Sequence, residues 1–285
     1  MKQFDVQQPQ PSEQAKPKET KYEELTLQND FMFCKVMTAY PELCREVAEV
    51  LIGESVGDLE FIDSHFSVKE SVDGKGVVFD VIAKDSDTCY NIEMQVGQEA
   101  ALGKRIRYYR GMTDAALLQQ GQGYEELYKA FVIFICAYDP FGAKLPKYTF
   151  RQTCEQVPEV KLGDEATVII INLASEQLVG TEERFRNLVN YLAGNGPADD
   201  LEQRLEEAVK ATRKNPKWRV DYMNYTDRIR IARKEQMAED IRCFYAKGAD
   251  IDFIAEALNV KKEWVLKVLN LQPSEENSSA PAAKQ

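Results

Sequence analysis

The spacing of apolar residues along the chain changes period several times, and each change marks an element. From Leu25 onward, Thr26 or Asn29 can cap a helix whose apolar residues Phe33, Val36, Met37 and Tyr40 recur every three or four positions. Pro41 restarts the turn, and Leu43, Val47, Val50 and Leu51 carry the stripe on to Gly53. The period then falls to two. Strands are predicted over 60–69, 76–84 and 89–97, separated by Asp73-Gly74 and by Asp85-Ser86-Asp87, which together make a three-stranded meander. A helix is predicted over 99–119, ending near Gly121 and Gly123. Two strongly apolar runs, 130–137 and 166–172, have the character of central strands buried on both faces. After Gly194-Asn195-Gly196-Pro197 the pattern is helical almost to the end. The fold class this implies is α/β or α+β, a mixed central sheet flanked by helices, with an all-helical C-terminal region.

Composition divides the same chain into segments. Residues 1–22 and 272–285 are poor in apolar side chains and are expected to be disordered. Between them lie a main domain over 23–195, a helical extension over 196–235 and a small helical element over 236–271. With 285 residues, 44% of them hydrophobic, the chain can bury a real core. Lys and Arg total 36 against 47 Asp and Glu, a net charge of −11, which argues against a surface coated with basic residues. The charge is uneven, however. From Arg204 to Lys234 there are ten Lys or Arg and four Asp or Glu, a local +6 against −17 elsewhere. That stretch is either a solvated helix face or an anion-binding surface.

A single histidine, His65, disfavours a His-activated nucleophile and a metal site built on imidazoles. The six cysteines include no CxxC pair and are expected to be buried thiols. There is neither an apolar run of about 20 residues nor an apolar signal-peptide core, so a soluble, cytoplasmic protein with no membrane partner is expected.

The chemistry concentrates between residues 76 and 96. Asp is unusual inside a strand, yet Asp80 stands between Phe79 and Val81, and Glu93 between Ile92 and Met94 repeats the anomaly. Alternation puts Glu93 and Gln95 on one face. If Ser86 and Asp87 form a two-residue hairpin loop, paired positions sum to 173 and Asp80 faces Glu93. Two carboxylates about 5 Å apart repel, and a hard divalent cation would relieve them. Mg²⁺ in such a place can stabilise a phosphoryl transition state without any histidine. The alternative is an ordinary exposed acidic strand face. Lys84 shares the parity of Asp80 and either lends charge to the pair or points into solvent at the strand end.

Four segments, taken in order, carry a likeness to a known family. They are Leu27-Gln28-Asn29-Asp30-Phe31-Met32-Phe33-Cys34-Lys35-Val36, the Asp80 strand, Ile92-Glu93-Met94-Gln95, and Lys104-Arg105-Ile106-Arg107-Tyr108-Tyr109-Arg110. Together they resemble the PD-(D/E)XK nuclease family transposases, also called Rpn or recombination-promoting nucleases, over residues 25–190 and more loosely to 235. The resemblance implies a restriction-endonuclease-like core and Mg²⁺- or Mn²⁺-dependent hydrolysis of DNA in recombination or mobile-element contexts. On that pattern Asp80 and Glu93 are the metal-binding carboxylates, and Gln95 holds the place of the catalytic lysine. Asp30 matches an acidic residue that supplements the metal shell in some members, although a helix N-terminus favours Asp in any case. Gln95 is the departure, because an amide carries no charge. Glu-x-Gln also appears in this branch.

Lys104, Arg107 and Tyr108 share a helix face, with Arg105 and Tyr109 beside it, so this segment is a candidate phosphate-backbone contact or simply a solvated surface. Residues 252–269 follow a helix-turn-helix spacing in which Lys261 and Lys262 open the second helix, a candidate DNA contact or an ordinary helical hairpin. The function expected is a metal-dependent endodeoxyribonuclease. The alternatives are a catalytically weak or inactive DNA-binding regulator on the same fold and a protein–protein interaction domain. Cutting both strands of a duplex commonly calls for two copies, so a homodimer is the expectation from symmetry.

Overall fold

The computed structural model describes residues 20–62, 67–68 and 77–271, those at 67–68 and 77–78 through their backbone. The described residues fall into two compact units, divided at the start of the long helix that begins at Pro216. His65, the Asp73-Gly74 turn and most of both expected disordered ends lie outside the described residues.

The first unit opens with helices α1 (Asp30–Ala39) and α2 (Pro41–Ile52). The side chain of Asn29 caps α1 by accepting the Met32 amide at 3.1 Å. Pro41 occupies the first turn of α2, and Gly53 ends it in the left-handed region at φ 85°. The strands are β1 (Glu60–Phe61), β2 (Ser67–Val68), β3 (Val77–Val78), β4 (Val81–Lys84), β5 (Thr88–Gln95), β6 (Lys129–Cys136), β7 (Lys147–Phe150) and β8 (Ala166–Asn172). Helix α3 (Leu102–Leu117) links β5 to β6, and α4 (Glu183–Leu192) and α5 (Asp200–Arg213) follow β8.

Six strands form one mixed sheet in the order β1-β4-β5-β6-β8-β7. β5, β6 and β8 run parallel, while β1, β4 and β7 are antiparallel to their neighbours. A mixed sheet flanked by helices, followed by a helical C-terminal region, is what the patterning implied. β6 is buried over seven of its eight residues, as the apolar run predicted. Each fully buried Ile or Phe there contributes roughly 1.5–3 kcal/mol of transfer free energy. One sheet face, with Ile82, Cys89, Val132, Phe134, Cys136, Tyr148 and Ile170, packs on Leu102, Ile106, Tyr109 and Met112 of α3, whose spacing gives that helix a single apolar face. The opposite parity, with Val81, Tyr90, Ile92, Ile133, Ile169 and Ile171, is buried as well.

The expected meander is altered. The single strands predicted over 60–69 and 76–84 are divided, with β1 pairing β4 in the main sheet and β2 pairing β3 in a separate two-stranded one. Two elements went unpredicted. β7 carries only four residues on a sheet edge with half its positions exposed, and α4 follows a polar stretch that masks its start. The cysteines depart from expectation too, since Cys44, Cys89 and Cys136 are buried but Cys34 and Cys154 are partly exposed and Cys243 is exposed.

The second unit contains α6 (Pro216–Ala246), α7 (Ile251–Ala257) and α8 (Lys262–Leu269). Ile241, Ile251, Ile254, Val265 and Leu266 form its small core. Asn259 takes a left-handed φ of 49° in the turn between α7 and α8.

One polar side chain on β5 stands out. Asn91 is 1% exposed between Ile82 and Val132, and neither of its amide atoms finds a partner among the described residues. An unpaired buried amide costs about 1–3 kcal/mol, so Asn91→Val should raise the melting temperature in differential scanning calorimetry. A lower melting temperature would mean that the amide is satisfied in solution.

Candidate functional site

The β4–β5 hairpin turns on the two residues Ser86 and Asp87. Asp85 Oδ1 accepts the amides of Asp87, in the loop, at 3.2 Å and of Thr88, at the start of β5, at 2.9 Å, and this turn sets the register. Val81 pairs with Ile92, so positions sum to 173 and Asp80, just before β4, falls opposite Glu93. The two carboxylates meet where main-chain pairing stops. Glu93 Oε1 accepts the Asp80 amide at 3.2 Å, and Asp80 Oδ2 accepts the Met94 amide at 2.8 Å.

The surroundings raise the pKa of both. Burial pushes Asp80 up to about 7, helped by the charge of Asp30 and opposed by the Met94 amide and Arg105. Glu93, 1% exposed, is driven well above the usual carboxylate range by burial and then by Asp80. Asp30, at the first position of α1, lies close enough to raise both groups, and the same field reaches Cys34, whose thiol burial and then Asp80 lift to about 12. Three of the expected carboxylates therefore share one electrostatic environment.

Gln95 stands two residues beyond Glu93 on the same strand face, and its amide is committed at both ends. Oε1 accepts from Arg105 Nη1 at 2.6 Å, and Nε2 donates to the Gly97 carbonyl. Arg105 Nη2 donates to the Tyr109 hydroxyl at 3.0 Å and lies 3.6 Å from Glu93 Oε2. The guanidinium lies over the rings of Tyr109 and Phe134, at 4.9 and 5.5 Å.

α3 thus separates the basic residues named from its sequence. Arg105 faces the carboxylates, whereas Lys104, Arg107 and Tyr108 are exposed on the outer side. Lys84 is turned away from Asp80, its ammonium 3.4 Å from both the Tyr128 hydroxyl and Glu60 Oε2. Lys261 and Lys262 belong to the second unit. Lys261 is the N-cap residue of α8, and Lys262 is paired with Asp252 at 2.8 Å. Tyr109 as a hydroxyl partner of Arg105 was missed by sequence reasoning. Its i, i+4 spacing from Arg105 was the available signal.

Among the described residues no group of three or more His, Cys, Asp or Glu is arranged to hold a metal ion. The donors that do converge are the two carboxylates. Asp80 Oδ1 takes no hydrogen bond among the described residues, and burial pushes both groups toward neutrality, with Asp30 adding to the effect on Asp80 and Asp80 adding to that on Glu93. Such a pair fits a hard cation that uses one or two carboxylates and keeps waters in its remaining positions.

The family model of the PD-(D/E)XK nuclease family transposases matches residues 28–240, a span that contains Asp30, Asp80, Glu93, Gln95 and all of α3. No curated protein and no solved structure matches the chain.

The raised Asp80 pKa has a consequence for stability. A carboxyl whose folded pKa lies near 7, above its ordinary 3.8, contributes its full stability below about pH 4 and loses it as pH rises through 7. In metal-free buffer, Asp80→Asn should therefore melt higher than the wild type at pH 8, with the gap narrowing toward pH 5. A circular dichroism melt with no gain at pH 8 would refute the buried repulsion.

Proposed function

The chain belongs to the PD-(D/E)XK nuclease family transposases, and from that premise we propose that it is a metal-dependent DNA endonuclease acting in recombination or mobile-element contexts in the cytoplasm. The observation that carries the reading is the convergence of Asp80 and Glu93 at the end of the β4–β5 ladder, each accepting a backbone amide from the opposite strand. Buried carboxylates raised in pKa around a shared point are a recurrent mark of functional sites.

Asp80 and Glu93 would hold Mg²⁺ or Mn²⁺, with Asp30 contributing charge to the outer part of the site. The cation, when bound, supplies Lewis-acid polarisation of the phosphoryl oxygens and lowers the pKa of an attacking water. The chain's own residues do the rest. Asp80 must be ionised to hold a cation, and burial raises its pKa in the metal-free site, so a cation would bind there by displacing a proton at low pH. Burial of Glu93 excludes bulk water from one side of the site. Lys104, Arg107 and Tyr108, on the exposed side of α3, would meet the phosphate backbone as it enters. Two copies acting on the two strands would yield a double-strand break. Lys261 and Lys262 would add a second DNA contact from the helix-turn-helix-like element, with Lys262 giving up its pairing to Asp252. No helix among the described residues is long and apolar enough to cross a membrane.

Supercoiled plasmid incubated with purified protein and Mg²⁺ or Mn²⁺ tests the assignment. Nicking should appear with the wild type, vanish with EDTA, and fall to background in Asp80→Ala. Nicking that survives Asp80→Ala would remove this site from the chemistry. Salt-sensitive DNA retention without any nicking would favour a binding protein that kept the fold, a reading that the uncharged Gln95 supports.

A further inference from the structure

Gln95 leaves the site without the charge that lysine would bring on the strand, and the structure delivers a cation to the same spot from the next helix. Resting on the nuclease reading above, we propose that Arg105 takes the lysine's place as the cation set against the scissile phosphate, and that Gln95 is the positioning residue that holds it there.

The hydrogen bonds support this division of roles. The Arg105 guanidinium can only donate, so the Gln95 oxygen must be the atom turned toward it at 2.6 Å, and the amide nitrogen is left for the Gly97 carbonyl. One hydrogen bond at each end makes Gln95 a bridge between Arg105 and the Gly97 carbonyl. Arg105 itself is anchored by neutral partners, the Gln95 oxygen and the Tyr109 hydroxyl, and bedded on the Tyr109 and Phe134 rings. Its approach to Glu93 Oε2, at 3.6 Å, is longer than a hydrogen bond. The charge is therefore steered toward Glu93 without being locked into a bidentate pair. The side chain remains 30% exposed where that of Glu93 is 2% exposed, and five N–H donors exceed the two that these neutral partners take. A substrate phosphate reaching the carboxylates would meet the open edge of this guanidinium. Three other cations named from the sequence are placed elsewhere, Lys84 at Tyr128 and Glu60, and Lys104 and Arg107 on the outer side of α3.

Arg105 in this role is more than a backbone anchor, and position 95 must then supply an uncharged acceptor. Gln95→Lys restores the superfamily residue, yet it sets an ammonium against the Arg105 guanidinium and removes the acceptor that positions it. It should lower Mg²⁺-dependent plasmid nicking at least tenfold. Arg105→Ala should lower the nicking rate about 10²-fold, the scale of losing one preorganised donor, while DNA retention measured by anisotropy in EDTA changes less than threefold. Gln95→Lys combined with Arg105→Ala should nick faster than Arg105→Ala alone, because one cation is then present without a competitor. Circular dichroism melts establish that each variant is folded, and if Arg105→Ala is not, Gln95→Lys alone decides the matter. Nicking by Gln95→Lys at or above the wild-type rate would overturn the proposal. So would a loss in Arg105→Ala that appears entirely as lost DNA retention. A wild type that fails to nick, or that nicks as well after Asp80→Ala, would take down the nuclease reading and this proposal with it. A wild type that needs Asp80 but not Arg105 would overturn this proposal alone.

Discussion

Two carboxylates held together in a largely water-excluded place are the constraint on which the rest of the site depends. Glu93 satisfies the amide of Asp80 and Asp80 satisfies that of Met94, so side chains continue the stitching of β4 to β5 where main-chain pairing ends. This arrangement spares two strand amides from going unpaired, which would cost more than an ordinary hydrogen bond returns. It also forces two acidic groups into one environment, and burial then raises both pKa values. A proton, a nearby guanidinium or a bound cation are the available means of relief. The fold supplies the second only in part, since Arg105 stands 3.6 Å from Glu93. What remains unrelieved is a local cost in the stability of the folded chain, which a bound cation would offset.

Sheet topology explains why the guanidinium arrives where it does. β5 is antiparallel to β4 and parallel to β6, so it serves at once as a hairpin arm and as the first strand of a crossover. A parallel partner requires a connection that passes over one face of the sheet, and α3 is that connection. Its apolar residues Leu102, Ile106, Tyr109 and Met112 settle on the face that carries Cys89, Phe134 and Cys136, the same parity as Glu93 and Gln95. Arg105, preceding Ile106 and one turn before Tyr109, is then carried to the edge of the buried stripe. Hydrophobic packing thus places a charged group that packing alone would never select.

Much of this was legible in the sequence. Asp80 and Glu93 stood out because acidic residues are rare within apolar strand patterns, and a two-residue turn at Ser86-Asp87 was enough to place them opposite each other. β6 and β8 were evident from their unbroken apolar runs, and the first two helices from Asn29, Pro41 and Gly53. Less visible was anything that depends on partners distant in sequence. The division of the early strands follows from β1 joining the main sheet beside β4 while β2 and β3 pair with each other, a choice that local periodicity does not encode. β7 lacks the apolar run that marks an interior strand, because an edge strand needs to bury only one face. Lys84 and Arg105 were both candidate cations by parity or face, and contacts with Glu60, Tyr128 and Tyr109, up to 44 residues away in sequence for Tyr128, decide between them.

The position of the charge also bears on how an acidic chain can engage a polyanion. A lysine on β5 would rise from the same strand as Glu93, two residues away, and would compete with any bound cation for that carboxylate. Carried on α3 and tied by an uncharged amide, the cation is held slightly back from Glu93 and presents an open edge to the solvent side. Its hydrogen-bonding anchors are neutral, and the Glu93 carboxylate stands 3.6 Å from it. Neighbouring Lys104 and Arg107 extend positive charge along the exposed side of the same helix, so a net charge of −11 coexists with a local cationic edge beside the carboxylate pair. Because interactions between exposed charges fade within about 10 Å at moderate salt, a phosphate brought to α3 would respond to this edge more than to the total.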